Sequence, residues 1–325
     1  MRKKNLKLGG VALSLFAVFF IMGCNSQKAL LSEKGKANKT AKRIIVIGLD
    51  GLSVEGYKTA KHPNLDQLMD NGTLSLSTRP VMPSVTLPNW TSHLTGCGPE
   101  QHGVDSNEWT VKEHILAPIE QDKEGYYPSV FKVLKDRVPN MNIGYYYNWE
   151  NLINSINPKY LDEINFEEND KYQENYYLAF QFVKKHKNDP SLIFLYSVHT
   201  DHAGHSHKWM SREYITAIEE ADKGIGELIN NLKSEGLYDD THFMLITDHG
   251  GNGYGHGGMS PAEMQVPWAV TGPGIEKGKI LAEPSNNTDT GVVILRLFGF
   301  MDKPKAWTGE VPESIFENNQ SNSKK

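Results

Sequence analysis

Seven residues of this 325-residue chain could do chemistry together: Asp50, Thr86, Asp201, His205, Asp248, His249 and His256. Carboxylate oxygen and imidazole nitrogen are donors that suit zinc and, less often, manganese or iron. No cysteine stands among them, which argues against a closed structural zinc site. Seven donors exceed one tetrahedral sphere and suit two ions, each keeping a position open for substrate. A metal pair about 3.5–4 Å apart stabilises the attacking and leaving oxygens of an in-line displacement at phosphorus, so the inventory points to phosphoryl transfer.

Such residues must be brought together by rigid elements. Three nearly continuous apolar runs, 43–50, 191–199 and 241–248, read as strands buried on both faces of a parallel sheet, and each delivers Asp or His near its end. A fourth candidate strand is 141–148. Helical patterns lie at about 63–71, 128–137, 172–187 and 211–234, the last with Ile215, Ile218, Ala221, Ile225, Leu228 and Leu232 at helical spacing before Gly236. Alternating strands and helices predict an α/β fold with a mostly parallel central sheet, whose ligands gather at the carboxyl ends of the strands.

The motifs resemble those of the alkaline phosphatase superfamily, most of all its type I phosphodiesterase/nucleotide pyrophosphatase branch, with phosphonoacetate hydrolase nearby. The matching stretches are VIGLDG at 46–51, TLPN at 86–89, TGCGPEQHG at 95–103, DHAGH at 201–205, TDHGG at 247–251 and GHGG at 255–258. The resemblance implies an alkaline phosphatase-like fold with a small cap, here about 104–177. It also implies two Zn2+ ions, one held by Asp50, Thr86, Asp248 and His249, the other by Asp201, His205 and His256. Thr86 is then the nucleophile, forming a phospho-threonine that water hydrolyses, and Asn89 donates its amide to a phosphate oxygen. Pro88 suggests a helix start, which would set Thr86 and the phosphate against unsatisfied N–H groups.

The implied activity is a phosphodiesterase or nucleotide pyrophosphatase acting on a small phosphoester. Within enzymes the alternatives are a phosphomonoesterase or a phosphonoacetate hydrolase-like enzyme. A lipid or glycan transferase uses the same threonine chemistry but usually follows several membrane spans. Outside enzymes, the alternative is a surface binding lipoprotein that has lost turnover. A sulfatase needs a cysteine or serine where this chain has Thr86. Trp90, where the family pattern usually has His after TFPN, and Ser206-His207-Lys208 after DHAGH depart from the pattern and point to a diverged substrate side. The aromatics of 104–128 and 145–177, among them Trp109, Tyr127, Trp149 and Tyr172, offer a candidate clamp for a flat group.

Other candidates read as structural. His93 and His102 are expected to pack in the fold, and His199, His202 and His207 to lie around the ligands, with His207 a possible substitute ligand. The GxGxxG match at 253–258 has no strand before it and no helix opening on it, so it is not read as a dinucleotide loop.

Residues 1–7 are basic and 8–23 form a short apolar run ending at Cys24. The run is short of the ~20 residues that span a bilayer and reads as a signal peptide. Its end resembles a bacterial lipobox, so Cys24 is expected to be lipidated and to anchor an exported protein in the cell envelope. Residues 24–41 read as a flexible tether of roughly 20–25 Å reach, 42–315 as the catalytic body and 316–325 as a frayed tail. With 34 Lys plus Arg against 39 Asp plus Glu the net charge is -5, and removing residues 1–23 brings it to -9, which argues against a nucleic-acid polymer as partner.

Overall fold

The computed structural model describes residues 40–317. Eight strands form one sheet in the order β4-β3-β5-β1-β6-β7-β2-β8. In chain order they are β1 (Arg43–Leu49), β2 (Gly72–Thr78), β3 (Asn142–Tyr147), β4 (Glu163–Phe166), β5 (Ser191–Ser197), β6 (Thr241–Ile246), β7 (Val266–Thr271) and β8 (Lys279–Ile280). The neighbours β4, β3, β5, β1 and β6 run parallel, whereas β7 is antiparallel to both β6 and β2. The four apolar runs expected to be strands are β1, β3, β5 and β6, and they sit side by side. Their carboxyl ends therefore share one edge of the sheet.

Among the described residues ten α-helices flank the sheet: α1 (Val54–Thr59), α2 (Pro63–Asp70), α3 (Thr86–Thr95), α4 (Pro99–His102), α5 (Val130–Arg137), α6 (Gln173–Lys185), α7 (His199–His207), α8 (Arg212–Ser234), α9 (Pro261–Met264) and α10 (Asp289–Leu297). Alternation along β1 sorts them into two layers. Ile44 and Val46 pack with Trp90 and Leu94 of α3, Phe131 of α5 and Val293 of α10. Ile45, Ile47 and Leu49 pack on the other face with Leu65 of α2, Phe182 of α6 and Ile218 and Ile225 of α8. Both faces of β1 are thus covered, and all seven of its residues are buried.

One strand position requires a missing side chain. A Cβ at Gly48 would lie 2.7 Å from Cη2 of Trp90, so only glycine lets this indole lie flat against β1 beneath Asp50.

Within 104–177, expected as cap material, α5, β3, β4 and the first residues of α6 belong to the sheet and its layers, whereas 104–129 holds no helix or strand. The strands β2 and β7, the helix α10 and the polar helix α7 were not expected. Cys24, the expected signal segment, most of the expected tether and residues 318–325 lie outside the described residues. No helix among the described residues is long and apolar enough to cross a membrane.

Candidate metal centre

The ligand-type residues gather near the strand ends. Asp50 follows β1, Asp248 and His249 follow β6, and α7 starts just beyond β5 and carries Asp201 and His205. Their i,i+4 spacing sets both on one helix face, with His205 Nε2 3.4 Å from Asp201 Oδ2. His256 returns on the glycine-rich loop and lies 3.8 Å from Asp201 Oδ1. Asp50, Asp248 and His249 are fully buried.

Three buried carboxylate oxygens, Asp50 Oδ1, Asp201 Oδ1 and Asp248 Oδ2, have no hydrogen-bond partner. The imidazoles face them the wrong way for ordinary hydrogen bonds. His249 Nδ1 lies 2.9 Å from Gly250 O, His205 Nδ1 2.8 Å from Tyr254 O and His256 Nδ1 3.0 Å from Ser84 O. A carbonyl only accepts, so each Nδ1 carries a proton and each Nε2 turns inward, where it offers its lone pair once a metal displaces any second proton, as in metal-ligating histidines. His249 Nε2 then faces Asp248 Oδ2 at 3.0 Å, Thr86 Oγ1 at 3.3 Å and Asp50 Oδ1 at 3.6 Å. Lone pairs converging in a buried space need a cation between them.

Two groups have donor atoms close enough to hold a metal ion: Asp201, His205 and His256, and Asp50, Asp201 and His249. The first is the trio expected for one ion. The second differs from expectation in including Asp201, which therefore stands between the two halves of the site.

The electrostatics agree. Burial, with Asp248 and Asp201 close by, raises Asp50 well above the usual carboxylate range, and burial raises Asp201 as well. Burial also opposes charge on His249 and Asp248, but their mutual attraction, with Asp50 and Asp201 adding to it, raises His249 to about 10 and lowers Asp248. Without a cation the cluster keeps protons to relieve three crowded carboxylates. These residues fit divalent cations.

Thr86 opens α3 and is nearly buried, and its hydroxyl is turned to this cluster. Beside it lies a cavity of about 220 Å3 whose walls include Asp50, Asp201, His205, His256, Asn107 and Trp149. Asn107 was not singled out from the sequence. Its Oδ1 accepts from Leu87 N–H at 2.8 Å, which fixes the amide orientation and leaves Nδ2 as the group offered to the cavity.

Asn89 is not in that position. Its Oδ1 accepts from Val81 N–H and Asn287 Nδ2, and its Nδ2 donates to the carbonyls of Val81, Pro83 and Val85. Fully buried with both ends of its amide engaged, it ties the segment before α3 to the helix and cannot reach a phosphate. Three residues after Thr86 is most of a helical turn, and the Asn89 side chain points back to the preceding segment rather than forward to the hydroxyl.

Trp90 does not mark a diverged substrate side either. Its indole is buried and donates from Nε1 to Asp50 Oδ2 at 3.2 Å, where Tyr196 O–H also donates. These two donors occupy Oδ2 and turn Oδ1 toward His249.

Five further histidines of these motifs have surroundings of their own. His93 bridges Thr290 and Thr247, and His102 bonds Ser92 and the N–H of Val104; burial lowers them to about 4 and about 3. His199 bonds Ala217 O, His202 pairs with Asp170, and His207 is exposed beyond the metal cluster. The clamp aromatics are mostly core: Trp109, Tyr127, Tyr145, Tyr146, Tyr147, Tyr172 and Tyr176 are buried, and only Trp149 among those aromatics lines the cavity. The 253–258 loop has no strand directly before it and no helix opening on it, the short α9 starting only at Pro261; Gly253 and Gly257 take positive φ as it turns back to present His256.

The profile of the type I phosphodiesterase / nucleotide pyrophosphatase family matches residues 44–255, and the chain belongs to that family. Among curated relatives it is 28% identical over 217 residues to an uncharacterized pyrophosphatase/phosphodiesterase of Schizosaccharomyces pombe, covering 64% of this chain and 44% of that protein. It is 27% identical over 214 residues to ectonucleotide pyrophosphatase/phosphodiesterase family member 1 of Homo sapiens, covering 63% of this chain and 23% of that protein. The chain thus spans less than half the length of these relatives. Among solved structures, an inactive murine ectonucleotide pyrophosphatase/phosphodiesterase 5 in complex with AMP superposes with a TM-score of 0.67 at 16% identity, over 81% of this chain and 96% of that one. Human ectonucleotide pyrophosphatase/phosphodiesterase 5 gives 0.70 at 14% identity, over 85% and 100%. A protein solved with neocarrahexaose gives 0.65 at 19%, over 83% and 75%. The fold is therefore shared by proteins holding quite different ligands, and the site must choose among them.

Proposed function

We propose that this chain is a metal-dependent phosphodiesterase that uses Thr86 as nucleophile. The observation that carries the reading is the Thr86 hydroxyl at a helix start, 3.3 Å from His249 Nε2, facing a cavity walled by unpartnered carboxylate oxygens. Asp50, Asp248, His249 and Thr86 would hold one cation, and Asp201, His205 and His256 a second, zinc being the metal this donor set suits best. Bound dications lower the pKa of an attached hydroxyl and offset charge on phosphate oxygens.

Thr86 Oγ1 attacks phosphorus, the opposite ester bond breaks and one alcohol departs with the proton that the threonine gives up, leaving Thr86 joined to a phosphate that keeps the other ester arm. Water then cleaves this phospho-threonine bond, releasing the phosphomonoester and restoring the hydroxyl. Asn107 Nδ2 and the Thr86 N–H at the start of α3 are the donors available to a non-bridging oxygen.

Diesters are favoured over monoesters on charge. A monoester dianion needs a cationic side chain in the site, and no Lys or Arg lines this cavity among the described residues. Arg79 donates to Met264 O, and Lys208 lies over the Tyr254 ring. Trp149 and Val198 instead give the wall apolar area for a second ester group. The AMP complex of the murine neighbour supports a small nucleotide-type ester.

With zinc-supplied protein, bis(p-nitrophenyl) phosphate should be cleaved at least roughly tenfold faster than p-nitrophenyl phosphate; the reverse order makes the chain a monoesterase. In the same assay Asn107→Ala should lower kcat by roughly 10²-fold, the scale of losing one preorganised donor.

Export and lipid attachment at Cys24 belong to the same proposal, resting on the basic start, the apolar run and the cysteine that ends it. Palmitate labelling in a bacterial host should mark the protein and miss Cys24→Ser; equal labelling of both refutes the anchor.

A further inference from the structure

The outer side of α7 carries a cavity that the phosphodiesterase reading does not use. It encloses about 520 Å3, more than twice the volume beside Thr86, and lies between α7, the start of α8 and the turn before α6. His202 lines both cavities. It follows Asp201 directly, so the helix that presents one carboxylate to the metal cluster presents the next side chain to the partition between the two spaces. Asp170 holds that imidazole: its Oδ1 is 2.6 Å from His202 Nδ1, and Asn169 and Asp170 both take the left-handed conformation (φ 57° and 60°) that turns the carboxylate toward α7.

The walls are polar. His199 lies at the base, nine-tenths buried and stacked on Tyr172 with ring centroids 4.1 Å apart. Its Nε2 donates to Ala217 O at 3.0 Å, so Nδ1 is an acceptor, and it has no protein donor. Glu213, Thr216 and Glu220 of α8 and Arg212 complete the rim. These acids and imidazoles do not gather closely enough to share one ion. Three carboxylates, Asp170, Glu213 and Glu220, outnumber the single guanidinium, which repels a phosphate or diphosphate group but offers acceptors to hydroxyl hydrogens.

We propose that this cavity is a subsite for one ester arm of the substrate, and that the arm is an uncharged polyhydroxylated alcohol of the glycerol, sugar or cyclitol class. The inference rests on the phosphodiesterase reading. The phosphate sits at Thr86, one arm lies toward Trp149, and the other passes His202 into the second cavity, where its hydroxyls donate to Glu213, Glu220 and His199 Nδ1.

The test uses full-length, zinc-supplied protein and two p-nitrophenyl phosphodiesters, one with a methyl arm and one with a glyceryl arm. The glyceryl ester should show at least fivefold higher kcat/KM, and Glu213→Gln with Glu220→Gln should bring the ratio within twofold. Equal values in the wild type, or an undiminished ratio in the double variant, overturns the subsite while leaving the phosphodiesterase intact. If neither ester is cleaved, the phosphodiesterase reading fails instead. Saturation-transfer NMR with myo-inositol then judges the cavity independently: a signal lost in the double variant supports it, and no signal in the wild type, or one retained in the variant, overturns it.

Discussion

Thr86→Ala is expected to reduce phosphodiester turnover by at least about 10⁴-fold, because removal of a nucleophile leaves only binding and electrostatic stabilisation. The fold should survive. Thr86 makes one side-chain hydrogen bond, to His249, and the start of α3 is held by Leu87 N–H on Asn107 and by the Asn89 amide, neither of which involves the threonine hydroxyl. Rapid-quench with a 32P-labelled diester should trap a phosphorylated wild-type protein and no label on the alanine variant. Full activity in Thr86→Ala, measured beside an unchanged unfolding midpoint, would exclude the threonine mechanism. Thr86→Ser is the informative companion, since it keeps the oxygen in the same helical position and should retain a measurable rate.

Stripping metal is the second large effect. Dialysis against a chelator should take activity to background, and zinc should restore it. Stability should fall at the same time, because Asp50 Oδ1, Asp201 Oδ1 and Asp248 Oδ2 are buried without donors and lose their cation. For a ligand present at about a thousand times its Kd the linkage is worth roughly 4 kcal/mol, visible as a lowered unfolding midpoint. The pH dependence has a definite sign. In the metal-free site His249 is raised to about 10, against burial, by Asp248, Asp50 and Asp201, so a metal must displace its proton. Affinity therefore weakens as pH falls, and uptake near neutrality releases protons that calorimetry in buffers of different ionisation enthalpy can count. A chelated protein with unaltered activity and unfolding midpoint would remove the metal from the account.

What could be read from the residues alone was whatever depends on local pattern. Continuous apolar runs such as 43–50 and 241–248 have few alternatives to a buried strand, and the periodicity of 211–234 fixes a helix face whose Ile218, Ile225 and Leu232 are indeed buried. An Asp or His at the end of such a run is expensive to bury without a partner, which is why Asp50, Asp248 and His249 stood out. The parallel sheet then forces strand ends to one edge, so the ligand inventory follows from order in the chain.

Side-chain direction was decided only by the tertiary structure. Asn89 and Asn107 are equally polar and both near Thr86 in space, but only the fold turns one amide into the segment before α3 and the other toward the cavity. Trp90 follows the TLPN motif in sequence, but its indole lies beneath Asp50, in room left by Gly48. The helix α7 has no apolar period to announce it, so nothing in HTDHAGHSH told that Asp201 and His205 share one face while His202 reaches a second cavity. Chain pattern sets which groups arrive at the sheet edge, because burial and periodicity act locally. Which atom of each group faces the site depends on contacts between segments as far apart as Trp90 and Asp50 or Asn287 and Asn89, and those exist only in the folded protein.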